Sequence, residues 1–147
     1  ITRWQTPTEV AFYLGTTATM VTCISPDLAM DFPHIEFICF FASHALVTVA
    51  MIFMVFGLRQ WPRQTAPLRV LALVNLYGLL MAIVNGLLGS NYLYIRCKPS
   101  VATIMDWMGP WPYYIGCMDL LLALCVLTID RIVRASSASE PVLATSQ

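Results

Sequence analysis

Two residues in the sequence carry side chains that an apolar helix normally excludes and that can do acid–base chemistry, His44 and Asp119. His44 lies nine residues past Ile35, about 13 Å along a helix, and Asp119 seven residues past Pro112, about 10 Å along another. The two depths match, so a contact between them is expected. A charged group at the centre of a membrane helix costs about 2.5–3.5 kcal/mol on insertion scales, so such groups face a bundle interior and find a partner. A His–Asp pair of this kind either fixes helix register or lets the carboxylate orient an imidazole base. On a helical wheel Phe37, Phe40 and Thr48 fall within about 40° of His44, giving it an aromatic stripe, whereas His34 and Glu36 fall near the helix start and read as solvated. A second pattern lies on one arc further along the chain: Asn75, Gly78, Ala82, Asn85, Gly86 and Gly89 form a small and polar stripe among leucines. Stripes of this kind let helices approach closely and hydrogen-bond, and the reading here is helix packing.

The elements that must hold these residues are membrane helices. The chain is 59% hydrophobic and 11% charged, against roughly a quarter charged in soluble domains. Four stretches approach the roughly 20 apolar residues a spanning helix needs. The first opens at Thr6-Pro7-Thr8-Glu9, where Thr6 suits a cap and Glu9 a capping box, and ends near Ile24. Its threonines, Thr16, Thr17, Thr19 and Thr22, favour a protein-facing position. The second runs from about Ile35 to about Leu58, ahead of Arg59, Trp61 and Pro62. The third runs from about Leu68 to Gly89, and the fourth from Trp111-Pro112 to about Val133, with Asp130 and Arg134 spaced to pair. Between the last two, Ser100 is expected to cap a short interfacial helix from Val101 to Met108. The fold class expected is therefore all-α, a polytopic transmembrane bundle of four spanning helices plus that interfacial helix. It covers residues 1–134, followed by a polar, disordered tail over 135–147.

Arg3, Arg59, Arg63, Arg69, Arg131 and Arg134 fall on one side of these helices. Arg96 and Lys98 fall on the other with Asp27, Asp31, Glu36 and Asp106. Cytoplasmic loops accumulate Lys and Arg, so both ends of the segment are expected to be cytoplasmic. Tyr92, Tyr94, Trp107, Trp111, Tyr113 and Tyr114 then belong to the opposite headgroup layer.

The formal charge is zero, which leaves no basic face for nucleic acid. The five cysteines, Cys23, Cys39, Cys97, Cys117 and Cys125, form no C-x-x-C pair, and with only two histidines no metal or cofactor is expected. No nucleophile elbow and no phosphate loop is present. The partners expected are membrane lipids and other membrane protein subunits.

The runs YLGTTATMVTCISPDL (Tyr13–Leu28), FPHIEFICFFASHALV (Phe32–Val47), VNLYGLLMAIVNGLLGSNYLYIRCKP (Val74–Pro99) and GPWPYYI (Gly109–Ile115) resemble the YwaF-like family of bacterial integral membrane proteins. The resemblance implies an inner-membrane location and further helices ahead of Ile1. A related eukaryotic branch is associated with acyl transfer to lysophospholipids through a cysteine on one of those earlier helices and an intramembrane histidine, which His44 matches. Two functions follow as expectations. One is a non-catalytic subunit or scaffold that packs through the stripe of the third helix and the threonine-rich first helix. The other is a lipid acyltransferase-like enzyme in which His44 is the base, Asp119 orients it, and the nucleophile lies on helices absent from this sequence.

Overall fold

A computed structural model describes residues 5–139. Four long helices account for most of them: α1 (Gln5–Ile24), α2 (Ile35–Ile52, prolonged by a π-helical turn, Phe53–Gly57), α3 (Ala66–Leu88) and α4 (Tyr113–Ala138). Short 3-10 turns at Tyr92–Tyr94 and Ile104–Met108 shape the connection from α3 to α4, and no strand occurs among the described residues. The fold is all-helical, as the hydropathy pattern requires. Two of the helices are long and apolar enough to cross a membrane: Ile35–Gly57, with mean hydropathy 2.3, and Ala66–Leu88, with 2.0. Of the four spans expected, two are supported by length and apolarity.

Helix limits follow local chemistry. Pro67 opens α3, where its missing N–H is harmless, and Gly89 closes it in the left-handed conformation (φ 68°) that a side chain would disfavour. At the start of α2 the His34 imidazole accepts the Glu36 N–H at 3.3 Å. Three expectations are corrected. Thr6 and Glu9 do not cap α1; both turn to Arg63, as described below. The short turn before α4 starts at Ile104, not Val101, because the Asp106 carboxylate accepts the Thr103 N–H at 2.9 Å and sets the first turn there instead of at Ser100. Finally α4 continues to Ala138, past the expected stop near Val133, so residues 135–138 of the supposed tail are helical. Arg3 and residues 140–147 lie outside the described residues.

The hub is α1, which packs against α2, α3 and α4. Its glycine makes this possible. A Cβ on Gly15 would lie 2.9 Å from Met51 Cγ and 3.1 Å from Val47 Cγ1, so α2 sits closer there than any side chain would allow. Thr48 of α2 donates to the Gly15 carbonyl at 3.0 Å across the same contact. At the arginine-rich end Phe12, Tyr13, Val55, Ala66, Val70, Val126 and Val133 close into a dry core.

Candidate functional site

His44 and Asp119 do not form a pair. The His44 Nδ1 bonds the Phe40 carbonyl one turn back at 2.7 Å, and the ring lies on Phe40 with centroids 4.2 Å apart. Because a carbonyl only accepts, this bond puts the proton on Nδ1 and leaves Nε2 as the basic nitrogen. Asp119 Oδ1 instead accepts from Asn75 Nδ2 of α3 at 3.0 Å. The physical reason is the packing order. With α2 on α1, and α1 also against α4, the carboxylate meets α3 before it can meet α2. Equal distance along two helices does not place two groups on facing surfaces.

The stripe of α3 divides by role. Asn75 makes the expected interhelical hydrogen bond. Asn85, fully buried, turns instead to the α3–α4 connection: its Oδ1 accepts the Tyr92 N–H at 2.8 Å and the Ser90 hydroxyl at 2.9 Å, and its amide donates to the Tyr92 carbonyl at 2.9 Å. Gly78 and Ala82 line a cavity of about 560 Å³ between α1, α3 and α4, whose wall also includes Thr17, Thr22 and Asp119. A Cβ on Gly78 or Gly86 would meet no atom within 4 Å, so neither glycine serves close packing inside this chain. The close approach belongs to Gly15, one glycine among threonines that a stripe search on α3 passes over.

A polar cluster at the arginine-rich end went unread in the sequence. Glu9, 3% exposed, accepts from the Arg63 backbone N–H and from Nε and Nη2 of its guanidinium, and the same Nη2 donates to Thr6 at 2.7 Å. The bond to Glu9 holds the Arg63 guanidinium above its already high value. Beside it Tyr13 donates to Asp130 at 2.6 Å, and Arg134 holds both carboxylate oxygens of Asp130 at 2.7 Å and donates to the Gln64 carbonyl at 3.2 Å. The i, i+4 pair of Asp130 and Arg134 was expected, but its link to Tyr13 was not. Such fully engaged buried charges fix the helix ends relative to one another and leave no open oxygen for a substrate.

The opposite end is held by lighter contacts. Tyr94 donates to Asp27, a bond that raises the phenol above its ordinary range, with burial adding to the shift. The Ile104 N–H donates to Ser25 at 2.8 Å, the Trp111 indole to the Ile95 carbonyl at 3.0 Å, and Lys98 pairs with Asp106 at 3.8 Å. The aromatic residues assigned to this end are mostly exposed, Trp107 most of all.

An all-helical bundle with two strongly apolar helices, polar groups turned inward and a rim of exposed aromatic rings is the architecture of a membrane protein. The model of one family, described as the TMEM164 family, matches residues 1–130. The chain belongs to the TMEM164 family. No curated protein and no solved structure matches it. The match to the TMEM164 family spans all four helices to Asp130 and includes His44, Asn75, Asp119 and the Glu9 cluster. Membrane association, expected from composition, agrees with membership of this family; the match does not confirm the resemblance to the YwaF-like family.

Proposed function

We propose that this TMEM164-family chain is a multi-pass membrane module that acts as a non-catalytic subunit or scaffold, with all four helices crossing the bilayer and both ends of the segment cytoplasmic. The observation that carries this reading is α2. It packs on α1, and none of the residues Ile35–Ile52 is buried. Ser43 and His44 nonetheless stand on it, and lipid gains nothing from polar groups at that depth. A further membrane helix covering α2 accounts for both. The orientation is supported by the clustering of Arg63 and Arg134 at one end and of Asp27 and Asp106 at the other. The test is a photo-crosslinking residue at Leu46 or Val49, which are 69% and 63% exposed. In native membranes each is expected to capture protein. Capture of lipid alone at both positions overturns the reading.

A second reading, lipid acyl transfer with His44 as base, is favoured by the bond to Phe40. That bond supplies from the backbone the orientation that Asp119 was expected to give. Under this reading His44→Gln abolishes acyl exchange between lipids in reconstituted membranes containing the complete protein, while Asp119→Asn leaves it largely intact.

A further inference from the structure

Apart from the Cys125 thiol, the polar side chains that line the cavity between α1, α3 and α4 are of one kind. Both amide protons of Asn75 are committed, one to the Leu71 carbonyl at 3.0 Å and one to Asp119 Oδ1 at 3.0 Å. The Thr17 hydroxyl donates to the Tyr13 carbonyl at 2.6 Å, and the Thr22 hydroxyl to the Ala18 carbonyl at 2.8 Å. What remains open on the Asn75, Asp119, Thr17 and Thr22 side chains is therefore acceptor only: the second oxygen of Asp119, the amide oxygen of Asn75 and the lone pairs of two hydroxyls. Among the described residues no cation pairs with Asp119. A carboxylate with free lone pairs facing an apolar cavity calls for a donor, and for a positive one above all.

Shape decides between a helix and a small molecule. A helix seated beside α3 is about 10–12 Å wide and needs a groove along the bundle. Here the space is partly open at its side but short, reaching only residues 74–82 of the 23-residue α3. Leu93 and Ile95 of the connection line its outer end, and Tyr13 and Val126 pack in the core below it. The volume of about 560 Å³ falls within the roughly 300–1,000 Å³ of small-ligand sites. We propose that this cavity binds a single-chain amphiphile whose polar end is a protonated primary amine, with the ammonium on Asp119 and Asn75 and the alkyl chain along Val74, Leu79 and Leu122. The site is separate from His44 and from the exposed face of α2, and it stands whether or not α2 docks a partner.

The full chain in phosphatidylcholine nanodiscs, labelled with a diazirine-bearing dodecylamine, tests it. Unlabelled dodecylamine is expected to compete at least about tenfold better than dodecyltrimethylammonium, which has no N–H to donate, or dodecanoate, which the carboxylate repels. Label should fall on peptides of α3 and α4. Asp119→Asn, which keeps the side-chain size, is expected to weaken labelling about tenfold, and Gly78→Leu to block it by filling the cavity. Equal competition by the three headgroups overturns the proposal. So does undiminished labelling of Asp119→Asn. The headgroup series uses the unaltered chain, so a variant that fails to fold does not spare the proposal.

Discussion

Glu9 and Arg63, 54 residues apart, are joined by three hydrogen bonds: the Arg63 backbone N–H at 2.9 Å and its guanidinium at 2.8 and 2.6 Å. The carboxylate belongs to the first turns of α1 and the arginine to the connection between α2 and α3. One side chain thus fastens the hub helix to the turn that reverses the chain. Because the carboxylate is buried, nothing in solvent replaces the guanidinium when it is lost. Glu9→Ala is expected to lower the melting temperature of the solubilised protein more than Glu9→Gln, which keeps one acceptor. The neighbouring Tyr13→Phe removes only a hydroxyl and leaves Asp130 held by Arg134, so its cost is set at about 1–2 kcal/mol. Equal stability of Glu9→Ala and the unaltered chain in a detergent melt would show that the link is incidental.

Gly15 supports the next prediction. Val47 Cγ1 is branched at the backbone and cannot withdraw, and Met51 Cγ is held one bond from its Cβ, so a methyl at position 15 forces α1 and α2 apart. Gly15→Ala is expected to cost about 1–3 kcal/mol, as overpacking does, and Gly15→Leu to separate the pair. Thermal unfolding and the protease sensitivity of α2 check both. Gly86→Ala, where a Cβ meets nothing, is the control that should lower neither the melting temperature nor the protease resistance of α2.

What the sequence disclosed and what it concealed separate by range. Helix limits near Pro33, Pro67 and Pro112 were legible because proline and hydropathy act locally, and the pairing of Asp130 with Arg134 was legible because four residues is one turn. Glu9 was read as part of a capping box and Arg63 as one of the arginines gathered on one side of the helices, as local pattern suggests. Only the fold brings them together. Tyr13 and Asp130, 117 residues apart, were hidden for the same reason. For His44 and Asp119 the sequence supplied depth but not azimuth, and the hub position of α1 is a property of the assembled bundle that no single helix encodes. Asn85 was assigned to helix packing because an amide on a small-residue stripe looks alike whether it meets a helix or a returning loop.

Asn85 therefore makes a prediction of its own. Its three hydrogen bonds fold the chain after Gly89 back onto α3, and the fully buried site offers no water to substitute for them. Asn85→Ala leaves the Tyr92 N–H and carbonyl unpaired at a cost of about 2–4 kcal/mol, summed over two groups at about 1–3 each with partial recovery. The loss should be local. Protease cleavage between Ser90 and Pro110 is expected to quicken severalfold while α1 and α2 keep their resistance. Uniform loss of resistance along the chain would place Asn85 in the global core instead.

The last prediction concerns which way the bundle lies in the membrane. Arg63 and Arg134 meet at one end, where the Arg134 guanidinium donates to the Gln64 carbonyl, and Tyr94 meets Asp27 at the other. Arginine accumulates on the cytoplasmic side because positive segments resist translocation, and acidic residues count for little. The end with Asp27, Tyr94 and Cys97 is therefore expected to face outward. Cys97 is exposed there, and Ser139 is exposed at the end of α4. With the other cysteines replaced, an impermeant maleimide added to intact cells should modify Cys97, whereas a Ser139→Cys variant lacking Cys97 should react only after the membrane is opened. Because Cys97 Sγ accepts a hydrogen bond from Asn91 at 3.1 Å, its labelling is expected to be slower than that of a cysteine at Ser100. That difference is one of rate and leaves the sidedness unaffected. Modification at position 139 in sealed cells, with Cys97 protected, reverses the orientation and with it the assignment of the aromatic rim to the outer headgroup layer.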